Sequence, residues 1–184
     1  NATDVLEKAV LHSSFNDAVK DKNLVVGTTR RIGKRRGLII PLKEGIKRIL
    51  SVSAKNKVAI LFGREDKGLS NIEVGECGFL IMIPTSAPQP SLNLAQAVLL
   101  VSYELSQGSY KPGYPELVDQ GKLNALYERI RSILSLLEYI PKGDRDIEAR
   151  IMRNLRHLIG RSGLTDWELR MLYGICTQIE RKIK

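Results

Sequence analysis

Apolar positions in the first 108 residues fall into two patterns. Three short unbroken runs, NLVVG at 23–27, KVAILF at 57–62 and FLIMI at 79–83, end in or are stopped by Gly27, Gly63 and Pro84. Runs of this kind are predicted to be strands buried on both faces of a parallel sheet. Between them the period lengthens to that of a helix. Pro41 opens a predicted helix over 42–51 with Leu42, Ile46, Ile49 and Leu50 on one face, and residues 92–107 form a strongly apolar helix. Shorter helices are predicted over 4–11 and 15–20. Three strands alternating with helices imply an α/β domain with a parallel sheet, whose ligand loops lie at the strands' carboxyl ends.

The strand signal stops at residue 108. Two Pro and two Gly within 108–115 mark a linker, so a domain over 1–108, a linker over 109–115 and a helical extension over 116–184 are expected. The extension is predicted as three helices. The first spans 116–139, with Leu123, Leu126, Ile130, Ile133, Leu134 and Leu137 in a stripe. The second spans 146–159, apolar at Ile147, Ile151, Leu155 and Leu158. The third opens on a Thr165-to-Glu168 capping box. Trp167 is expected in the core. The chain enters directly into a helix-like stretch without Met, so a further β-loop-α segment is expected to precede Asn1.

Charge adds the first hint of a partner. The 184 residues hold 29 Lys plus Arg against 20 Asp plus Glu, a net charge of +9. Residues 20–57 alone carry twelve basic and two acidic side chains, so one stretch accounts for the whole excess. A concentrated basic patch is the footprint of a polyanion, nucleic acid before an acidic membrane; a solvated charged face is the bland alternative. Cys77 and Cys176 cannot build a disulfide framework or a four-ligand zinc site, and no metal is expected. No run approaches the roughly 20 apolar residues that cross a bilayer. A soluble cytoplasmic protein is the expectation, with no membrane partner.

Nucleotide-hydrolase motifs fail in detail. Gly63 and Gly68 have P-loop spacing, but Leu69 follows where Lys-Ser/Thr is required, and no G-x-G-x-x-G occurs. His12 and His157 are too scattered for a catalytic triad. Three loops that follow strands stand out instead: Gly27-Thr28-Thr29-Arg30-Arg31, the stretch from Phe62 to Leu69, and the stretch from Ile83 to Leu94. Gly63 directly after a strand permits close backbone approach to a ligand, or is a plain turn. Glu65 is open to a salt bridge or to a ligand contact. Ser91 is placed to cap the following helix, and the triplet Ser91-Leu92-Asn93 at a helix start suits a polar substrate group.

FGREDKGLS followed by IPTSAPQPSLNLAQAV, with LVVGTT upstream, resembles the SpoU (TrmH) family of the SPOUT superfamily, and most of all its TrmJ-like branch of tRNA methyltransferases. The resemblance covers roughly residues 1–107. It implies a deep trefoil knot and S-adenosylmethionine as cofactor. It also implies 2'-O-ribose methylation of tRNA at nucleotide 32 of the anticodon loop, with rRNA or a non-catalytic RNA-binding role as alternatives. Carried over residue by residue, it assigns cofactor contacts to Thr28, Thr29, Gly63, Ile83, Pro84, Ser91 and Leu92. Glu65, Ser91 and Asn93 fall near the reacting ribose. The family's first motif has no counterpart in this chain, so neither Arg30 nor Arg31 is assigned its role. Arg30, Arg31, Lys34, Arg35 and Arg36 are expected to grip RNA phosphates. Arg150, Arg153, His157 and Arg161 form either a second RNA-touching row or solvated helix charge. The family's enzymes are dimers, so a homodimer is expected, with the 116–139 helix as a candidate pairing surface.

Overall fold

The protein is described here by a computed structural model, covering residues 3–31, 33, 36–85, 92–109, 113–140 and 145–183. In chain order its elements are α1 (Thr3–Glu7), α2 (Phe15–Val19), β1 (Leu24–Thr29), β2 (Ile39–Pro41), α3 (Leu42–Ser53), β3 (Val58–Leu61), α4 (Asn71–Glu76), β4 (Phe79–Met82), α5 (Leu94–Gln107), α6 (Gln120–Leu136), α7 (Arg145–Gly160) and α8 (Asp166–Ile183). The sheet is parallel throughout, in the order β2-β4-β1-β3. The three expected strands are its centre and one edge. The fourth, β2, is only three residues long and ends in Pro41, a residue an edge strand tolerates because it needs no ladder donor there.

The continuous apolar runs become two faces once the strands pleat. Leu24 and Val26 of β1 and Phe79 and Ile81 of β4 join Ile46, Ile49 and Leu50 of α3 and Val101 of α5 in one core cluster. Val25 and Leu80 point the other way, into a cluster with Val19 of α2, Val74 of α4, Leu69 and Cys77. The sheet is thus covered on both sides. Helix α4, which the sequence reading passed over, starts on a reciprocal cap: the Glu73 amide donates to Ser70 Oγ at 3.3 Å, and the Ser70 amide donates to Glu73 Oε2 at 2.6 Å.

The three C-terminal helices form as expected and enclose a separate cluster built on Leu123, Leu126, Tyr127, Ile133, Met152, Leu169 and Cys176. Arg129 of α6 clamps α8, donating to both carboxylate oxygens of Glu180 at 2.9 and 2.7 Å and to Thr177 Oγ1 at 2.9 Å. The capping box at Thr165 is present, with Thr165 N donating to Glu168 Oε2 at 2.7 Å. Two expectations are corrected. Trp167 is 70% exposed, because α8 turns Leu169, two residues on, toward α6. Leu158 is also exposed, since α7 buries Met152 and Ile159 instead.

Residues 116–119 are not helical, which corrects the start of the first C-terminal helix. Two asparagines hold this stretch against the sheet domain. Buried Asn56 donates to the Pro115 carbonyl at 3.0 Å and accepts from the Leu117 amide at 2.8 Å, while Asn23 donates to the Leu117 carbonyl at 2.6 Å. Asp119 then caps α6 through the Lys122 amide.

Helices α4 and α7 pack together and join the two parts. Arg156 of α7 lies 3.2 Å from Glu76 and over the Tyr127 ring. Burial raises the Glu76 pKa in spite of Arg156, with Glu128 adding to the rise, so the pair does not fully offset desolvation. Close approach here depends on glycine. A Cβ on Gly78 would stand 2.1 Å from the Gly160 carbonyl oxygen. Gly78→Ala should therefore push α7 away and cost about 1–3 kcal/mol. Gly174→Ala, with nothing within 4 Å of the new methyl, should gain about 0.5–1 kcal/mol from helix propensity. Urea denaturation of both variants checks the pair, and an undiminished stability of Gly78→Ala would contradict the contact.

Candidate functional site

In a parallel sheet the loops leaving adjacent strands emerge on one side. Here β1 lies between β3 and β4, with Gly27 opposite Leu61 and Leu80, so the three loops singled out from the sequence share one rim. They enclose an open cleft of about 840 Å³, mouth included. The β1 loop contributes Thr28, Thr29, Arg30, Arg31 and Arg36; the β3 loop contributes Phe62 through Leu69; and Ile83, Thr85, Leu92, Leu94 and Ala97 complete the wall from β4 and α5.

Local hydrogen bonds shape each side. Thr28 Oγ1 donates to the Leu61 carbonyl at 2.9 Å, tying the end of β1 to β3. Thr29 Oγ1 is a hub: it accepts from the Arg31 amide and from the Arg36 guanidinium, both at 3.1 Å. The β3 loop closes on itself, the Gly68 amide donating to the Arg64 carbonyl at 2.7 Å. Gly68 there has φ 68°, the left-handed region that glycine tolerates. Gly63 is required for a different reason. Its Cβ would stand 2.2 Å from both the Gly68 carbonyl carbon and the Leu69 nitrogen, which are backbone atoms that cannot step aside.

The cleft is amphipathic and electropositive. Arg30, Arg31, Arg36, Arg64 and Lys67 face two carboxylates, Glu65 and Asp66, while Phe62, Leu69, Ile83, Leu92 and Leu94 supply apolar wall. The ion pair within the β3 loop is Arg64 Nε to Asp66 Oδ1 at 3.3 Å, not one to Glu65, which has no ion-pair partner among the described residues. Cys77, packed beneath Gly27, is no nucleophile: burial, with Glu76 and Glu73 nearby, pushes its thiol up to about 12.

The structure thus brings together Thr28, Thr29, Gly63, Glu65, Ile83 and Leu92 of the expected site, with Arg30, Arg31 and Arg36 of the expected basic grip. Ser91, Lys34 and Arg35 lie outside the described residues. Pro84 is exposed and off the wall. Asn93 is also off the wall, because it caps α5: its Oδ1 accepts from the Gln96 amide at 2.8 Å, and Gln96 Oε1 accepts from the Asn93 amide at 3.2 Å. The helix therefore begins two residues later than expected. Arg64, Lys67 and the apolar wall residues Phe62 and Leu94 lie in the loops singled out from the sequence but carry no individual site assignment there. Their signal was position alone, beside residues already chosen.

The basic stretch divides by function. Lys20 pairs with Asp17, Lys22 and Lys57 pair with Asp21, and Arg48 lies over the Phe79 ring. Its members at the cleft are Arg30, Arg31 and Arg36. No helix among the described residues is long and apolar enough to cross a membrane.

Comparison with known proteins places these features in context. A family model described as the SpoU rRNA Methylase family matches residues 2–103. An uncharacterized tRNA/rRNA methyltransferase of Haemophilus influenzae is 32% identical, with 99% of this chain and 76% of that protein covered. The tRNA (cytidine/uridine-2'-O-)-methyltransferase TrmJ of Photorhabdus laumondii is 32% identical over 100% of this chain and 78% of its own length. The crystal structure of TrmJ from Z. mobilis superposes with a TM-score of 0.81 at 30% identity, covering 98% of this chain and 77% of that one.

Gly63→Ala should force the β3 loop open and abolish binding of S-adenosylmethionine, the cofactor the motifs imply. It should lower the melting temperature only slightly, because residues 64–68 are exposed. Titration calorimetry beside a thermal melt checks this, and undiminished binding would overturn the geometry assigned to the loop.

Proposed function

The chain belongs to the SpoU methylase family, and on that premise we propose that it is an S-adenosylmethionine-dependent tRNA 2'-O-ribose methyltransferase acting on nucleotide 32 of the anticodon loop. The observation that carries this reading is the convergence of three strand-end loops on one basic, half-apolar cleft. The tRNA 2'-O-methyltransferases among its relatives favour tRNA over rRNA.

The cleft has the chemistry such a cofactor needs. Phe62, Leu69, Ile83 and Leu92 offer apolar wall for a base, and the threonine hydroxyls and strand-end backbone offer polar contacts. Thr28, Thr29, Gly63, Ile83 and Leu92 would hold it, with Pro84 and Ser91 assigned by resemblance. When bound, S-adenosylmethionine supplies a methyl group activated on a sulfonium. The chain's own task is to hold the ribose hydroxyl in line and to ease departure of its proton. Glu65, at the wall and without an ion-pair partner among the described residues, is assigned to orient polar groups there, with Ser91 and Asn93 near the ribose. Arg30, Arg31 and Arg36 supply positive potential for RNA phosphates.

The likeness to a solved TrmJ supports the further proposal that these loops form a trefoil knot. It likewise supports a division into a methyltransferase domain over 1–108, a linker over 109–115 and a helical extension over 116–184. We also assign a homodimer. The surface that favours it is α5, where Leu94, Val98, Leu99 and Tyr103 are exposed and Glu104 is the one charged residue in 14. The candidate pairing surface on the first C-terminal helix is disfavoured, because α6 buries Leu123, Leu126, Tyr127 and Ile133 within its own bundle. A cytoplasmic location agrees with this substrate.

Mapping ribose methylation in tRNA and rRNA from a deletion strain tests the function. Loss confined to tRNA nucleotide 32, restored by the gene, is expected; loss in rRNA alone, or none, overturns it. Asn93→Ser keeps a helix cap but removes the amide donor. It should cut methyl transfer about tenfold, the worth of one hydrogen bond, with cofactor affinity and melting temperature unchanged. An unchanged rate would leave Asn93 as a cap only. If the basic loop makes about three to five phosphate contacts, RNA affinity should fall with a log–log salt slope of roughly −2 to −4. Arg30→Glu with Arg31→Glu should flatten that slope. A salt-independent affinity would mark the loop as solvated charge.

A further inference from the structure

Arg30, Arg31, Arg36, Arg64 and Lys67 all line the cleft, but they are not held alike. Arg30 and Arg31 are exposed on the loop that leaves β1, and Arg64 is paired with Asp66. Arg36 is half-buried and has no ion-pair partner among the described residues. It is attached on each side. Its backbone amide donates to the Gly33 carbonyl at 3.0 Å, and its guanidinium Nη1 donates to Thr29 Oγ1 at 3.1 Å. The residues after it enter the framework at once. A Cβ on Gly37 would stand 2.9 Å from the His157 ring, and the Leu38 carbonyl accepts from the Leu80 amide of β4 at 2.8 Å.

The Thr29 hydroxyl is committed within this loop. It accepts from the Arg31 amide and from Arg36, and it donates to the Arg31 carbonyl at 3.3 Å. A hydroxyl has one hydrogen to give and two lone pairs to share, so its capacity is filled. That leaves a cofactor the backbone of Thr29 and the hydroxyl of Thr28. The bond to Arg36 has a second consequence. A guanidinium is planar, and anchoring one Nη1 hydrogen at a strand end sets the plane of its remaining N–H groups. Long side chains lose rotamer freedom when they grip a ligand, and Arg36 has lost part of it beforehand. A fork so oriented matches a phosphate, two parallel N–H groups to two oxygens. Exposed Arg30 and Arg31 draw a polyanion in without fixing its register.

We propose that Arg36 seats one particular phosphate of the RNA at the cleft, and that Thr29 is the positioning residue that orients its guanidinium to do so. This rests on the reading of the cleft as the RNA methylation site, and it singles out the arginine that locates the strand there. A phosphate contact fixes register on a nucleic acid, and register decides which ribose meets the methyl group.

Neutralising phosphates one at a time tests this on the full chain without reference to turnover. The probe is tRNA assembled from synthetic halves, with a single anticodon-loop phosphate replaced by an uncharged methylphosphonate. Wild-type affinity should fall about fivefold or more at one linkage and less at its neighbours. Arg36→Gln should bind unmodified tRNA more weakly, yet show no further loss at that linkage, since both changes break one contact. Thr29→Val should shrink the loss at that linkage, and Thr29→Ser, which keeps the hydroxyl, should restore it. Arg30→Gln and Arg31→Gln should weaken binding of every RNA alike and leave the linkage effect in place. Should Thr29→Val not fold, Arg36→Gln carries the measurement.

No linkage coupled to Arg36, the same coupling to Arg30 or Arg31, or a full linkage effect in Thr29→Val would each overturn the proposal. So would an Arg36→Gln chain that loses S-adenosylmethionine affinity with no linkage effect, which would give the guanidinium to the cofactor's carboxylate. Mapping of methylated riboses separates the proposal from the function it rests on. If the wild type shows the coupled linkage but methylates no ribose, the functional reading fails and the phosphate seat stands. If it methylates tRNA with no linkage coupled to Arg36, the function stands and the phosphate seat fails.

Discussion

The site exists because β1 is the inner strand of a parallel sheet. Strands in parallel register end on the same side, so pairing β1 with β3 and β4 delivers three loops to one rim without any loop being specified to meet another. The pairing demands that β1 be buried on both faces, and Val25, Val26 and Gly27 meet that demand. Gly27 is the tightest point. A methyl there would stand 2.6 Å from Leu80 and 2.9 Å from the Cys77 sulfur, so a larger residue would press α4 and β4 away from the strand they cover.

The joint between the sheet domain and the helices is built from polar groups placed where backbone would otherwise go unpaired. Asn23 and Asn56 satisfy residues 115–117, and the Gln120 and Gly121 amides donate to the carbonyls of Lys22 and Lys20. An unbonded backbone group in this semi-buried joint would cost free energy comparable to a lost hydrogen bond, so the chain leaving the sheet is held along its length. Helix α7 then lies on α4, the helix that directly continues a cleft loop. The extension therefore packs on the element that follows the cleft's β3 loop.

Much of the architecture was legible in the sequence because its signals are strong ones. Unbroken apolar runs of five or six residues bounded by Gly or Pro have few alternatives, and the capping box at Thr165 is a local reaction between neighbours. The misses have equally physical causes. Three residues of β2 are too few to show a period, and the six of α4 were announced only by Ser70 and Glu73, the same cap signature that was read correctly at Thr165. Trp167 is expected in the core and is exposed, because which side of a short amphipathic turn faces inward depends on the helix it meets. At the site, strand-end position found the loops, but position could not tell Asn93 as a helix cap from Asn93 as a ligand group.

By itself the sequence determined the alternation of strands and helices, the concentration of positive charge in residues 20–57, the change of character after residue 108 and the motifs that mark the family. These are properties of neighbours along the chain: periodicity, local capping and composition. The tertiary structure alone decided which basic residues reach the cleft and which are spent on Asp17, Asp21 or Phe79, which glycines admit no methyl, and that an imidazole 120 residues beyond Gly37 rests against it. Those outcomes depend on distances between segments far apart in sequence. Only the pairing of the strands and the docking of α7 on α4 set such distances.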